Sequence, residues 1–345
     1  MTLSTVLSSL WIPLSSLVQS PFQQPASSSP RFMTEKVDLL ILGAGWTASF
    51  LVPHLQRHHP TLSFAATTRD GRDGTLKWSF DPDREGQEQF EGLPRARAVL
   101  VTFPIRGEGG SRRLAQGYEE HAGSRTRWIQ LGSSGIWDGG PTLASLRASS
   151  PSASAKPPPF QWTTRHSPYD RTNPRALAED ELLSQHSDTI VLNLVGLWGG
   201  TRNPLNWFTR IAPTKSTLEQ KGSLHLIHGL DVARAIVAVV LAPTLPSSSE
   251  GKGRGERWVV SDLRVLDWWD LVSSHPSSSP PPPSASSDHE PSPNRALWVL
   301  DLMSTHNIRG LPRSPEELGR AIDSSEFWRT FGLVPVKGRW EEGKL

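Results

Sequence analysis

The stretch "DLLILGAGWTASFLVPHL", Asp38 to Leu55, constrains the fold more than any other part of this chain. "VDLLILG" (37–43) is a continuous apolar run closed by a glycine, the pattern of a strand covered on both faces. From Gly45 to Leu55 the spacing predicts a helix, with Phe50, Leu51 and Leu55 available for packing. Pro53 inside it has no N–H, so it removes one helical hydrogen bond and is expected to kink the helix. Between strand and helix, Gly43-Ala44-Gly45-Trp46-Thr47-Ala48 reads G-x-G-x-x-A. In that setting the order is the dinucleotide-binding fingerprint. The first glycine allows the tight turn, the second lets a pyrophosphate approach the backbone, and the small last residue lets helix and strand pack closely. Free N–H groups at the helix start then hold the anion. Gly43, Gly45, Trp46, Thr47 and Ala48 are therefore expected cofactor contacts, against the plainer reading of a glycine-rich turn with no ligand.

The rest of the chain repeats the alternation. "TLSFAATTR" (61–69), "RAVLVTFP" (97–104), "RTRWIQLGSSG" (125–135) and "DTIVLNLVGLWGG" (188–200) read as strands, and 111–122 and 174–186 as helices. Alternation of this kind implies an α/β fold, a parallel sheet covered by helices. Thr102, Phe103 and Pro104 close the third strand, Gly196 and Leu197 lie in the fifth, and all five are expected beside the cofactor. Three tracts interrupt the pattern, at 148–159, 246–255 and 273–293. Their Ser/Pro/Gly composition buries too little apolar surface to hold one conformation. They are expected to be surface insertions in a single domain over 35–345. Residues 1–34 are expected to be a disordered extension: there is no charge before Arg31, and Pro13 breaks an apolar run too short to span a bilayer.

Lys and Arg number 36 and Asp and Glu 34, a net charge of +2 with histidine neutral. No basic block stands out, so a small molecule is the expected partner and nucleic acid is not. Cysteine is absent, which excludes disulfides, thiolate catalysis and cysteine-ligated metal. No metal and no membrane association are expected, and the location expected is cytoplasmic.

The end of the second strand meets the adenosine ribose in dinucleotide-binding sheets, with Asp or Glu for NAD and arginine for NADP. Here the strand ends Ala66-Thr67-Thr68-Arg69-Asp70. Thr68 and Arg69 favour NADP. Asp70, one position further, favours NAD, and either charge could simply be solvated.

Six segments in order resemble the extended and atypical short-chain dehydrogenase/reductases (SDRs), the YeeZ-like atypical group above all. "LLILGAGWTASFL" is similar to their first strand–helix unit, "WIQLGSSGIWDGG" to their "SS-x-x-V-Y-G" strand end, and "RALAEDELL" to their "K-x-x-x-E-x-x-L" helix. "VLNLVGLWGG" resembles "L-R-x-x-x-x-Y-G", "LHLIHGLDVARAIVAVV" resembles "V-H-V-x-D-V-A-x-A", and "RAIDSSEFWRTFGLVP" resembles "I-D-x-S-K-x-x-x-x-L-G-x-x-P". The order holds from Val37 to Val336 apart from the Ser/Pro tracts. The resemblance implies a Rossmann-type doubly wound parallel sheet with a small C-terminal substrate lobe. It also implies relatives among nucleotide-sugar epimerases and a Ser–Tyr–Lys catalytic set.

Only part of that set is present. Ser133, with Ser134 beside it, matches the serine, although a serine there also serves as a turn residue. Counting back from Glu179, the lysine falls on Arg175 and the tyrosine on Arg171. The two tyrosines of the chain, Tyr118 and Tyr169, have no lysine four residues on. Asn173 is a good N-cap and Pro174 suits the first helical position, so Arg171 falls before the helix. Arginine stays protonated and cannot act as a base. Arg175 can still bind the cofactor or stabilise an oxyanion. The expected catalytic residues are then Ser133, Tyr169 and Arg175, with His166 and Asp170 as nearby titratable groups. Two functions remain open: an NADP-dependent oxidoreductase or epimerase/dehydratase acting on a sugar-like or carbonyl substrate, with NAD as the other cofactor, and a dinucleotide-binding sensor or interaction module without turnover. Trp198, Trp207, Trp268 and Trp269 fall at the expected lobe interface, either as core or as a ring-stacking pocket.

Overall fold

In the computed structural model, the structure describes residues 36–138, 160–185, 188–242, 255–274 and 295–338. The N-terminal extension and nearly all of the three Ser/Pro tracts lie outside these described residues. The strands are β1 Val37–Leu42, β2 Phe64–Thr68, β3 Leu76–Lys77, β4 Ala96–Val101, β5 Arg127–Ser133, β6 Thr189–Leu194, β7 Gly196–Trp198, β8 Ser223–Leu224, β9 Leu226–His228, β10 Glu256–Val260 and β11 Leu266–Asp267. Seven of them form one sheet in the order β10-β6-β5-β4-β1-β2-β3, with every pair parallel. Strand order reverses between β1 and β4, and ligands of open α/β sheets sit beyond the carboxyl ends of the strands at such a point.

The apolar runs explain the sheet. In β1, Leu39 and Ile41 enter one core cluster while Leu40 and Leu42 enter the other, all fully buried. Ala98 and Leu100 of β4 divide from Val99 and Val101 in the same way. Successive side chains point to opposite faces, so a continuous apolar strand has to be covered twice. On one face α1 (Ala48–His58) packs against α6 (Gly229–Leu241), and on the other α2 (Gly110–Ala122) packs against α3 (Pro174–Gln185). Each fully buried leucine or isoleucine contributes roughly 1.5–3 kcal/mol relative to exposure.

Several boundaries differ from the sequence reading. The first helix starts at Ala48 and runs on through Pro53, which lies on the exposed side, to His58. The fifth predicted strand is two strands. β6 ends at Leu194, and β7 leaves the main sheet to pair in parallel with β9. β3 and β10 were not foreseen. One is two residues long, and the other follows directly on a low-complexity tract.

The lobe has its own core around Phe208, Leu218, Trp268, Trp269 and Leu302. It gathers α4 (Phe208–Ile211), α5 (Lys215–Glu219), α7 (Trp268–Ser274) and α8 (Arg295–Thr305). The chain then returns to the sheet, where α9 (Ser325–Thr330) inserts Phe327 and Trp328 into the main core. Trp268 and Trp269 are buried lobe core, and the Trp269 indole donates to the Leu218 carbonyl at 2.9 Å. Trp198, the last residue of β7, is buried, and Trp207 packs against the lobe core. None of the four lines the crevice described next.

Candidate functional site

A crevice of about 670 Å³ opens at the carboxyl ends of β1, β4, β5 and β6. Its floor is the glycine turn. Gly43 has φ +91, and a Cβ there would lie 2.8 Å from Thr102 Oγ1 and 3.2 Å from Phe103. Only glycine suits that backbone and that approach. The Gly43 amide donates to Thr67 Oγ1 at 3.0 Å, and Ala44 donates to the Thr67 carbonyl at 2.6 Å, so the end of β2 holds the turn in place. A Cβ at Gly45 would meet nothing within 4 Å, because this residue faces the open crevice. Ala48 is fully buried where α1 meets the sheet. The amides of Trp46 and Thr47 have no acceptor among the described residues.

The β2 end of the crevice is lined by Thr68, Arg69, Asp70 and Arg72. Asp70 is paired with Arg72 at 3.0 Å, both side chains being more than half exposed. Thr68 is buried; its hydroxyl lies 2.6 Å from that of Thr75 and accepts from the Gly71 amide. Arg69 is exposed and has no carboxylate partner among the described residues. A smaller cavity of about 300 Å³ adjoins this end, lined by Gly43, Thr68, Arg69, Trp78, Phe80 and Phe103 among others. Its three aromatic rings lie with centroids 6.2–6.4 Å apart. Nothing periodic in the sequence marks Trp78 and Phe80, because β3, which carries the chain to them, is only two residues long; Arg72 lies in the short turn before it.

The β5 and β6 end is lined by Leu131, Gly132, Leu194, Leu197 and Arg175, with Thr102, Phe103 and Pro104 between the two ends. Gly196 is partly buried and pairs in β7 instead of lining the crevice. Asn173 caps α3, its Oδ1 accepting from the Arg175 amide at 2.9 Å, and the helix begins at Pro174. Arg175 therefore points from the first turn to the crevice and donates to the Leu131 carbonyl at 2.9 Å. Burial lowers its pKa, the Glu179 carboxylate opposes that shift, and Arg106 adds to it.

The other predicted catalytic residues are engaged elsewhere. Ser133 Oγ accepts from the Gly135 amide at 3.1 Å and caps the short turn that follows. The Tyr169 hydroxyl donates to Asp180 at 2.7 Å, and its ring packs on Trp137 and under the Arg257 guanidinium. Arg257 also binds Glu179, and Asn193 ties Glu179 to the Ser133 carbonyl. Burial raises the Tyr169 pKa, and the bond to Asp180 raises it further. Neither Ser133 nor Tyr169 lines the crevice. Tyr118 lies in the core on the α2 face and donates to the Pro94 carbonyl. Arg171 is exposed beside the Tyr169 ring, His166 bonds to Glu326, and Asp170 accepts from Thr172. In the "HGLD" segment His228 caps α6, and buried Asp231 accepts from the Val336 and Lys337 amides, clamping the end of the described chain. Among the described residues no group of three or more His, Asp or Glu is placed to hold a metal, and no helix is long and apolar enough to cross a membrane.

No family model matches the chain, and no curated protein matches it. The fold is shared with solved structures. A functionally unknown conserved protein from Silicibacter pomeroyi superposes with a TM-score of 0.54 at 17% identity, over 90% of this chain and 96% of that one. A protein described as an NAD-dependent epimerase/dehydratase, from Methylobacillus flagellatus, gives 0.52 at 12% identity, over 89% and 96%. The UDP-N-acetylglucosamine 4-epimerase of Bacillus cereus gives 0.50 at 11% identity, over 89% and 97%. At these identities the likeness establishes the Rossmann-type fold.

Proposed function

We propose that this chain is an SDR-type nicotinamide-dinucleotide-binding protein whose cofactor is NADP(H), and whose tyrosines serve the fold instead of proton transfer. The residues present fit such a cofactor: an open glycine turn with two unengaged amides, an aromatic cavity for the adenine, and arginine at the ribose end. The carrying observation is the contrast between Arg69 and Asp70. Arg69 lines both cavities without a carboxylate partner among the described residues, while Asp70 is neutralised by Arg72. A ribose 2′-hydroxyl needs a carboxylate acceptor, whereas a 2′-phosphate needs the guanidinium. The fold neighbour described as an NAD-dependent epimerase/dehydratase supports the cofactor class. Calorimetric titration with NADPH and NADH tests the reading. NADPH is expected to bind at one site per chain and at least tenfold more tightly; equal affinities, or none, contradict it.

One observation favours a second reading, that of an oxidoreductase or epimerase. Arg175 lines the crevice beside Gly132, where it can stabilise negative charge developing on a carbonyl oxygen. NADP(H), when bound, would supply hydride exchange; Arg175 would orient the substrate oxygen and hold its charge, and the proton that completes the hydroxyl would come from solvent in the open crevice and not from a tyrosine. Cofactor-dependent turnover of a nucleotide sugar or small carbonyl by the intact protein, retained in Tyr169→Phe and lost in Arg175→Ala, would select this reading.

A further inference from the structure

The turn after β7 brings a second guanidinium to the crevice, one that neither the fingerprint nor the catalytic resemblance assigns. Gly199 and Arg202 bond to each other through both backbone pairs, at 2.9 and 3.1 Å, so the turn closes on itself. Gly199 and Gly200 both have positive φ, +104 and +56, and a Cβ on Gly200 would already press on Phe50 at 3.3 Å. The Trp46 indole N–H donates to the Gly199 carbonyl at 2.9 Å, across 153 residues of sequence. The Arg202 guanidinium lies 4.4 Å from the centroid of the Trp46 ring. Trp46 is itself the fourth residue of G-x-G-x-x-A, so the two turns are joined through one side chain. Behind it the rings continue as Trp46–Phe50 at 5.0 Å, Phe50–His228 at 5.1 Å and His228–Trp198 at 4.5 Å, which fixes the Trp46 plane. Arg202 lines the crevice with Gly45, Trp46 and Thr47 and has no carboxylate partner among the described residues.

A guanidinium stacked on an indole keeps its edge N–H groups free, and those groups match phosphate oxygens in pairs. We infer that Arg202 is a second phosphate-binding residue of this crevice: held against Trp46, it meets the pyrophosphate of a bound dinucleotide while the Trp46 and Thr47 amides meet it from the glycine turn. Trp46 is the positioning residue. The inference rests on the dinucleotide reading, and it separates two functions of the crevice arginines. Arg69 discriminates the 2′-phosphate; Arg202 serves the pyrophosphate, which NADPH and NADH share.

The test is calorimetric titration of NADPH and NADH into wild type, Arg202→Ala, Arg202→Gln, Trp46→Leu, the double variant Arg202→Ala/Trp46→Leu, and Gly45→Asp, with thermal melts to establish folding. Arg202→Ala and Arg202→Gln should each weaken both cofactors by roughly ten- to hundredfold and leave their ratio unchanged. Trp46→Leu should give part of that loss, and the double variant should be little worse than Arg202→Ala alone, since the ring acts through the arginine. A loss confined to NADPH would make Arg202 a 2′-phosphate residue and overturn the inference. Unchanged affinities in both Arg202 variants, with Gly45→Asp abolishing binding, would overturn the inference and leave the dinucleotide reading standing. Full binding by Gly45→Asp would remove both.

Discussion

The two ends of the crevice treat their polar groups differently. Over β1, β2 and β4 the groups that would meet a ligand are left open: the Trp46 and Thr47 amides and the Arg69 guanidinium have no protein partner among the described residues. Over β5 and β6 two of the candidate catalytic groups, Ser133 and Tyr169, are engaged by the protein. Ser133 Oγ caps its own turn, and the Tyr169 hydroxyl is bonded to Asp180 within an arginine–carboxylate network. Arg175 alone keeps its side chain at the crevice. An unengaged group in an open crevice stays hydrated at little cost, whereas a group hydrogen-bonded within the protein leaves its partner unpaired when it moves away. On the proposed reading, the binding geometry of a Rossmann sheet persists while Ser133 and Tyr169 serve the fold.

The largest effect expected at the binding end is from Gly45→Asp. A side chain there has free space, so the fold should tolerate it, but its charge sits where a pyrophosphate would. Cofactor binding should fall by at least a hundredfold with the melting temperature little changed; retained binding would erase the contrast between the two ends. Next comes Arg69→Ala, which should weaken NADPH by roughly ten- to hundredfold, the span of about 1.5–3 kcal/mol for a charged hydrogen bond. NADH affinity should stay the same, and a parallel loss for both cofactors would move Arg69 to the pyrophosphate.

The pH dependence of stability sharpens the account of the β5–β6 side. His225, just before β9, accepts from the Ile322 amide, and burial, with Arg320 nearby, lowers its pKa to about 3. Between pH 7 and 5 the unfolded histidine takes up a proton and the folded one does not, so stability falls by about 2 kcal/mol. Asp262 has the opposite sign. Burial raises its pKa to about 7, so its unfavourable contribution is larger at pH 7 than at pH 5 and shrinks by about 2 kcal/mol as the pH falls between them. Compared with the wild type in denaturant melts at pH 7 and pH 5, His225→Gln should therefore gain about 2 kcal/mol on acidification, and Asp262→Asn should lose about 2 kcal/mol. A variant whose stability changes with pH as the wild type's does would contradict the assignment for that group.

The smallest effect is from Tyr169→Phe. It removes one hydrogen bond to a partly exposed carboxylate, and stability should drop by about 1 kcal/mol. Cofactor affinity should not change, and neither should any turnover the protein shows. A loss of rate with affinity intact would return Tyr169 to the chemistry.

What could be read from sequence was local. The glycine turn, the apolar strands and the Asn173-Pro174 helix start are each set by a few consecutive residues, and the structure has all three. What could not be read depends on segments far apart. The aromatic cavity needs β3 to bring Trp78 and Phe80 to Phe103. The partner of Tyr169 depends on Arg257, 88 residues further on, drawing in Asp180 through β10, a strand that the neighbouring low-complexity tract concealed. The break after Leu194 follows from pairing with β9, and nothing within "VLNLVGLWGG" marks it.

The most direct test of the contrast is a crystal structure of the protein with NADP+. The account places the pyrophosphate on the Trp46 and Thr47 amides and the 2′-phosphate on Arg69, with the Tyr169 hydroxyl still bonded to Asp180 and away from the nicotinamide. Tyr169 turned from Asp180 to within hydrogen-bonding distance of the nicotinamide ribose or of a substrate oxygen would contradict it, and so would a cofactor bound with Arg69 in solvent and Asp70 on its ribose.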